Sequence, residues 1–160
     1  MHPTNHATFC AGILPWIMIK FVHMKDNNLY TQIKVVLAKE PEILAAYVVG
    51  STVSGKTTSE SDFDLVIIVR NRKIVGQDKV YELVRNLHFP RDLDLSVADR
   101  SSSPVFLYQV IAKGKRIYEK EQSEMSKFEA FALHNYYDTA HIRNTYHRYL
   151  KEKLSSHANR

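Results

Sequence analysis

This chain of 160 residues contains one cysteine, few long apolar runs and no excess of acidic residues. The single cysteine, Cys10, excludes an internal disulfide framework and is typical of a protein in a reducing cytosol. The most apolar run, Phe9–Val22, is shorter than a membrane span and contains Pro15 and Lys20. A net charge of +5, with a pI near 9.3, favours anionic partners such as triphosphates, nucleic acid or an acidic protein. We therefore expect a cytoplasmic protein without a membrane partner.

Glycine and proline number five each, and neither occurs after Gly114. Their absence predicts one or two helices over residues 121–153, so residues 121–160 are interpreted as a C-terminal helical segment. Residues 24–120 carry the periodic apolar pattern of a globular domain. Residues 1–23 are interpreted as a non-core N-terminal extension, and a genuine N-terminal helix that packs on the core is the alternative.

Apolar periodicity and turn residues divide residues 24–120 into alternating helices and strands. The first helix follows Asp26, a second contains Val80 and Leu87, and a third begins at Ser103-Pro104, because proline favours the first helical position. The predicted strands are, in chain order, Ile43–Val49, Ser61–Val69, Arg91–Ala98 and Arg116–Glu119. This order predicts an α/β domain with a small mixed β-sheet flanked by helices.

The stretch Ala45–Val69 carries the most informative motif. An apolar run ends at Gly50-Ser51, and ten residues later a second apolar run begins with Asp62-Phe63-Asp64. Because side chains alternate along a strand, Asp62 and Asp64 are predicted to share one face. Two such carboxylates suit divalent cations, and a Gly-Ser turn offers N–H groups and a hydroxyl to phosphate oxygens. The motif therefore indicates metal-assisted transfer from a nucleoside triphosphate.

A second motif overlaps the first. Residues 50–57, GSTVSGKT, satisfy the P-loop expression G-x-x-x-x-G-K-[ST]. A working P-loop opens a helix whose N-terminus supports the phosphates. Here the chain runs directly into the next strand, which leaves no room for that helix, so the P-loop interpretation is set aside.

A third acid is predicted on a later strand. In residues 91–98, RDLDLSVA, the leucines and the valine share one face, while Asp92, Asp94 and Ser96 share the other. If this strand lies beside the strand that follows Asp62, one of Asp92 and Asp94 joins the carboxylate pair. Three such acids suit two Mg²⁺ ions, which prefer oxygen ligands and triphosphate partners.

These motifs carry a family resemblance. Gly50-Ser51, ten residues and then Asp62-x-Asp64, followed by Leu93-Asp94-Leu95, resemble the signature of minimal nucleotidyltransferases of the DNA polymerase β superfamily. Residues 103–119 are similar to the helix and short strand that close those domains, and residues 128–152 to the helical tail of MntA-type antitoxins. The likeness covers residues 24–152. It implies the minimal nucleotidyltransferase fold with a C-terminal helical tail.

In that family the antitoxin of a type VII toxin–antitoxin pair uses ATP to place AMP on a tyrosine of a HEPN-domain RNase toxin, HepT, encoded beside it. The resemblance implies that this chain is a protein adenylyltransferase, with two Mg²⁺ ions as cofactors and ATP as substrate. It also implies a hetero-oligomer with a HepT-like toxin and no direct contact with nucleic acid.

The resemblance further implies a role for each site residue. Gly50 and Ser51 would hold the β- and γ-phosphates, and Lys56 would supply a positive charge where family members commonly carry arginine. The catalytic acids Asp62, Asp64 and Asp94 would bind the metals, and Asp94 would also help to deprotonate the attacking tyrosine. Asp94 is preferred to Asp92 because the third acid of the family stands between two apolar residues.

Two alternatives for the function stay open at this point. The chain is either an enzyme or a non-catalytic antitoxin that neutralises the toxin by binding, and intact acids at three positions favour the enzyme. A small-molecule nucleotidyltransferase of the aminoglycoside type usually adds a larger acceptor domain than the tail found here.

Tyrosines and arginines between residues 136 and 149 also resemble a nucleic-acid surface, although this spacing is more typical of core and interface residues.

Overall fold

The computed structural model describes residues 28–50 and 62–158, with side chains through residue 155. In these residues the chain forms four strands and five helices. Helix α1 occupies residues 28–37. The other elements are, in chain order, β1 (Ile43–Val48), β2 (Phe63–Val69), α2 (Gln77–Val84), β3 (Leu93–Ala98), α3 (Pro104–Lys113), β4 (Lys115–Glu119), α4 (Gln122–Asp138) and α5 (Ala140–Ala158).

The four strands form one mixed sheet in the order β3-β2-β1-β4. Strand β1 pairs antiparallel with both β2 and β4, whereas β2 and β3 are parallel. A parallel pair needs a crossover connection, and α2 supplies it between β2 and β3. This topology places the C-terminal end of β1 beside the N-terminal ends of β2 and β3.

Each face of the sheet buries its own apolar cluster. The first core lies on the face covered by α1 and α2, and it contains Ile33 and Val80 from those helices. The second core lies on the opposite face under α3 and α4, which contribute Leu107 and Phe128. Alternation along β2 sends Leu65 and Ile67 into the first core and Val66 and Ile68 into the second. Asp64 therefore lies on the face of the second core, where that core ends.

Gly114 closes α3 and leads directly into β4. A Cβ atom at this position would lie 2.4 Å from the carbonyl oxygen of Val110 and 3.0 Å from Cγ1 of Val49. The contact with backbone leaves no room for a side chain. Glycine at position 114 thus allows α3 to turn tightly against β1, next to the residue that precedes Gly50.

The C-terminal segment breaks into two helices at Thr139, although it contains neither glycine nor proline. The Thr139 hydroxyl donates to the carbonyl oxygen of Asn135 at 2.7 Å and lies 3.2 Å from that of Tyr136. A threonine hydroxyl that bonds to the preceding turn competes with the helical ladder. Helix α5 then continues with few contacts to the rest of the fold.

Several predicted bounds differ from the structure. Strand β3 begins at Leu93, whereas the sequence predicted Arg91, and β1 ends at Val48, whereas the sequence predicted Val49. Helix α2 ends at Val84, although the apolar pattern extends to Leu87. Asp62 precedes β2 and is not part of it. No helix in the described part of the chain is long and apolar enough to cross a bilayer.

Candidate active site

Two predicted site acids stand opposite each other on neighbouring strands. In the parallel pairing of β2 and β3, Asp64 is the partner of Asp94. Paired strands lie about 4.8 Å apart, so these two side chains leave the same face of the sheet at adjacent positions. The pairing is continuous from Phe63 and Leu93 to Ile68 and Ala98, which fixes this register over six residue pairs. The sheet itself therefore brings Asp64 and Asp94 together.

Gly50 lies against the same carboxylate. It follows β1 with φ of 71°, a left-handed conformation that favours glycine. A Cβ atom here would lie 2.1 Å from Oδ2 of Asp64. The backbone N–H of Val49 donates to the carbonyl oxygen of Asp64 at 3.1 Å, which holds the two segments at this spacing. The backbone of the turn after β1 therefore lies so close to the carboxylate of Asp64 that position 50 has no room for a side chain.

The electrostatics of Asp64 show which charges surround it. Burial raises the pKa of Asp64, and the negative charges of Asp94 and then Asp62 raise it further. The positive charge of Arg91 partly lowers it. Asp62 and Asp94 are more exposed than Asp64. The other two predicted acids therefore both act on Asp64, which lies at the least exposed of the three positions.

The structure also separates Asp94 from Asp92, the alternative third acid. Asp92 is exposed, and its carbonyl oxygen accepts a hydrogen bond from the backbone N–H of Phe63 at 2.7 Å. Of the charges that act on Asp64, that of Asp94 raises its pKa most. The geometry favours Asp94 as the acid that faces Asp64.

Sequence reasoning missed Arg91 as a neighbour of the site. Its positive charge lowers the pKa of Asp64. The available signal was its position three residues before Asp94 at the start of the acidic strand. Arg91 is thus a cation whose charge acts on the carboxylate of Asp64.

The donor set fits divalent cations. Carboxylate oxygens are the ligands that Mg²⁺ prefers, and the raised pKa of Asp64 marks uncompensated negative charge that a cation relieves. Within residues 28–50 and 62–155, no three acidic, histidine or cysteine side chains already have the spacing of a metal site. The residues fit Mg²⁺ in charge and in chemistry.

Two predicted phosphate-binding residues, Ser51 and Lys56, lie outside the described residues. Their predicted roles stay predictions. The same holds for the extension assigned to residues 1–23.

Polar contacts between the sheet and α4 hold β1 in place. The Tyr47 hydroxyl donates to Oε1 of Glu129 at 3.1 Å, and Nη1 of Arg116 donates to the same oxygen at 2.9 Å. This contact ties β1 and β4 to α4. Burial and the charge of Glu129 raise the pKa of Tyr47, so its hydroxyl stays protonated and keeps donating. Strand β1, which leads to Gly50, is thereby fixed on the second core.

The cavities found among the described residues do not coincide with the carboxylates. One, of about 350 Å³, lies at the other ends of β1 and β2, between Leu44, Val69, Arg70 and Phe128. Another, of about 520 Å³, lies beyond the C-terminal end of β3, near Arg72 and Asp99. The candidate active site is therefore identified by the acids and by Gly50.

One known protein family matches the part of the chain that contains this site. The profile described as "Polymerase beta, Nucleotidyltransferase" matches residues 31–123, more than half of the chain. That range contains Gly50 and all three acids. No curated protein matches the sequence at a significant level.

Solved structures share the fold at low identity. A crystal structure of a toxin–antitoxin with AMP-PNP is 22% identical, with a TM-score of 0.58, and the match covers 78% of this chain and 98% of that one. An MntA-HepT toxin–antitoxin structure is 20% identical, with a TM-score of 0.54 and coverage of 80% and 98%. A tri-AMPylated Shewanella oneidensis HEPN toxin in complex with an MNT antitoxin is also 20% identical, with a TM-score of 0.55 and the same coverage.

The predicted fold class, a small mixed sheet flanked by helices, is confirmed by the sheet topology and by these matches. The profile match also confirms the predicted enzyme class, a nucleotidyltransferase. This chain belongs to the polymerase β nucleotidyltransferase family.

Proposed function

We propose that this chain is the antitoxin of a type VII toxin–antitoxin pair and transfers AMP from ATP to a tyrosine of a HEPN-family RNase toxin. The proposed partner is a HepT-like protein with which it forms a hetero-oligomer in the cytoplasm. The proposed reaction depends on Mg²⁺. Residues 24–120 form the proposed catalytic domain, and residues 121–160 the helical segment.

The observation that carries this proposal is the pairing of Asp64 with Asp94 beside Gly50. The pairing places the carboxylates of Asp64 and Asp94 next to the turn after β1, and Gly50 in that turn lies in contact with Asp64. Such a turn offers backbone N–H groups to phosphate oxygens, while the acids face the same space. Two matched structures support the choice of reaction, because one complex contains AMP-PNP and another contains an AMPylated toxin.

In the proposed reaction the tyrosine oxygen bonds to the α-phosphorus of ATP, and the bond from that phosphorus to the bridging β-phosphate oxygen breaks. Pyrophosphate leaves, and the proton of the tyrosine hydroxyl passes to Asp94. Gly50 and Ser51 hold the β- and γ-phosphates, and Lys56 adds positive charge beside them. Asp62, Asp64 and Asp94 hold the cations.

Bound Mg²⁺ supplies positive charge that stabilises the leaving pyrophosphate and acidifies the attacking hydroxyl. Asp64 is the least exposed of the three acids, and burial strengthens the interaction of its carboxylate with a bound cation. Asp94 is the more exposed of the pair, so an incoming hydroxyl reaches it from solvent. Arg91 limits the repulsion among the acids before ATP and metal bind.

The decisive experiment mixes trace amounts of this protein with an excess of the HEPN protein encoded beside it, together with ATP and Mg²⁺. We expect loss of the RNase activity and a gain in mass of one or more AMP units on a tyrosine of the toxin. Asp94→Asn is expected to abolish the mass gain. Asp92→Asn is the matched control, because it changes the neighbouring exposed acid, which precedes β3, and it is expected to retain transfer.

An occluding antitoxin behaves differently. It neutralises the toxin only at stoichiometric amounts, works without ATP and tolerates the Asp62→Asn/Asp64→Asn double substitution. Full neutralisation by that double variant, with no mass change on the toxin exposed to wild-type protein, would refute the enzymatic proposal. Equal loss of transfer in Asp92→Asn and Asp94→Asn would refute the assignment of the third acid.

A further inference from the structure

Exposed apolar side chains are concentrated in the C-terminal helices. Eight large hydrophobic residues are exposed in the described part of the chain, and five of them belong to the end of α4 and to α5. These five are Tyr137, Ile142, Tyr146, Tyr149 and Leu154. Scattered single apolar residues on a surface are normal, but a cluster within one helical segment marks an interaction site.

Helix α5 buries almost nothing within this fold. It has nineteen residues, and none whose side chain is described falls in the buried class. Most of the stability of a helix in a protein comes from packing one face against a core, and an isolated helix of this length is marginal in water. The helix therefore presents a face that a partner is needed to cover.

One stripe of α5 has the spacing of a binding face. Ile142, Tyr146 and Tyr149 lie at i, i+4 and i+7, on one side of the helix, and each is more than 50% exposed. We name these three residues the α5 stripe. Anchors at this spacing are typical of a helix that lies in an apolar groove of another protein.

The base of α5 is held rigidly. The ring of Tyr136 stacks on that of Tyr108 from α3, with centroids 3.9 Å apart, and the guanidinium of Arg143 lies 4.0 Å from the centroid of Tyr136. Arg143 also donates to Oγ1 of Thr139 at 2.7 Å and to the carbonyl oxygen of Tyr136 at 2.6 Å. These contacts join α5 to the end of α4, which in turn stacks on α3. A helix fixed at its base loses less conformational entropy when a partner binds it.

Charge indicates the kind of partner. Helix α5 contains four basic residues, Arg143, Arg148, Lys151 and Lys153, against the single acidic residue Glu152. In a symmetric contact between two copies, this excess would place positive charge against positive charge. A second copy is therefore disfavoured, and an acidic partner surface with an apolar groove is favoured.

The side chains of α5 favour a protein partner over a nucleic acid. An aliphatic residue, Ile142, belongs to the stripe, and it offers no ring for base stacking. Arg143 already bonds within the chain, and the ammonium of Lys153 lies 6.0 Å from the ring centroid of Tyr149. Nucleic-acid surfaces instead combine free cations with open aromatic faces.

We infer that the α5 stripe is the docking surface for the toxin, and that it inserts into an apolar groove with an acidic rim on that protein. This inference rests on the proposed function, because it assigns a place on this chain to the proposed partner. The stripe holds the toxin while the carboxylates at Asp64 and Asp94 act on it.

The test compares Tyr146→Ala/Tyr149→Ala with a matched control, Asn144→Ala/His147→Ala, which changes two exposed residues on the other side of α5 and leaves its four basic residues in place. Alanine favours helix, so neither variant removes α5. Toxin affinity is measured by calorimetry without ATP. We expect the stripe variant to bind roughly tenfold or more weakly, and the control to stay within about threefold of wild type. Equal affinities for the two variants would overturn the inference.

Hydrogen exchange on the wild-type complex provides a measurement that needs no variant. Toxin binding is expected to slow exchange of the amides in residues 140–155, and unchanged exchange there would contradict the docking surface. A single-stranded RNA oligonucleotide that binds wild type but not the stripe variant, with toxin affinity unchanged, would assign the stripe to nucleic acid. Dimers of this chain alone that the stripe variant abolishes would assign it to a second copy.

The docking surface and the proposed reaction can fail separately. Stripe-dependent binding without any mass gain on the toxin would retain the docking surface and refute AMP transfer. Mass gain by a stripe variant at wild-type affinity would retain the reaction and refute the docking surface.

Discussion

Substituting alanine for Gly50 tests the link between the turn and the acid pair. The new Cβ would lie 2.1 Å from Oδ2 of Asp64, far inside contact distance. The clash is with the end of a side chain, so rotation of the Asp64 carboxylate relieves it. Rotation turns that carboxylate away from its present position beside Asp94. The backbone strain at φ of 71° persists whatever Asp64 does.

The two effects have different magnitudes. An alanine in the left-handed region costs about 1–2 kcal/mol, which lowers the melting temperature by about 3–8 °C for a domain of this size. Displacing a catalytic group by about 1 Å costs on the order of a hundredfold in rate. We therefore expect Gly50→Ala to stay folded and to lose about a hundredfold or more in AMP transfer.

Gly76→Ala is the matched control. Its Cβ atom would meet only the carbonyl oxygen of Arg72 at 3.6 Å, an ordinary contact, and its φ of −85° suits any residue. Thermal melting without nucleotide and the rate of AMP transfer are measured on both variants. A Gly50→Ala protein that transfers AMP at the wild-type rate would refute the view that this close approach positions Asp64.

Three further predictions concern stability. Asp64→Asn is expected to raise the melting temperature at pH 7 without Mg²⁺. The fold raises the pKa of Asp64, so ionisation of this carboxyl destabilises the folded protein, and asparagine removes that cost. The gain disappears as the pH falls below about 4, because wild-type Asp64 is then protonated in the folded and the unfolded state alike. A stabilisation that persists at low pH would contradict this origin. Gly114→Ala is expected to destabilise by about 1–3 kcal/mol in urea unfolding, because its Cβ atom overlaps the backbone of Val110; an unchanged midpoint would mean that the α3 turn relaxes freely. A chain that begins at Met24 is expected to melt within about 2 °C of the full chain, and a drop of about 8 °C or more would show that residues 1–23 pack on the core.

Much of the fold was predictable because its signals are local. Pro104 begins α3 and Gly114 ends it, as the sequence indicated, since both residues act through their own backbone. The break at Thr139 was not predictable as a position, because threonine occurs within many helices and this hydroxyl happens to bond to Asn135. The early start predicted for β3 fails because Arg91 and Asp92 have strand-like alternation but belong to the preceding turn.

The site was predictable in part. Alternation alone places Asp62 and Asp64 on one side of their segment, and it leaves Asp92 and Asp94 equivalent. Only the register between β2 and β3 decides that Asp94 faces Asp64, and strand register is a non-local property. The influence of Arg91 on Asp64 depends on tertiary distance in the same way.

The register of β2 and β3 has a consequence for how this protein can change over evolution. Phe63 and Leu65 pair with Leu93 and Leu95 on the face opposite the acids, and a slip of one residue would move Asp94 into the first core. Burying a carboxylate there without a partner is costly, so the apolar residues enforce the alignment of the acids from the far side of the sheet. Inheritance of the chemistry therefore requires inheritance of the alternating pattern of apolar residues on both strands.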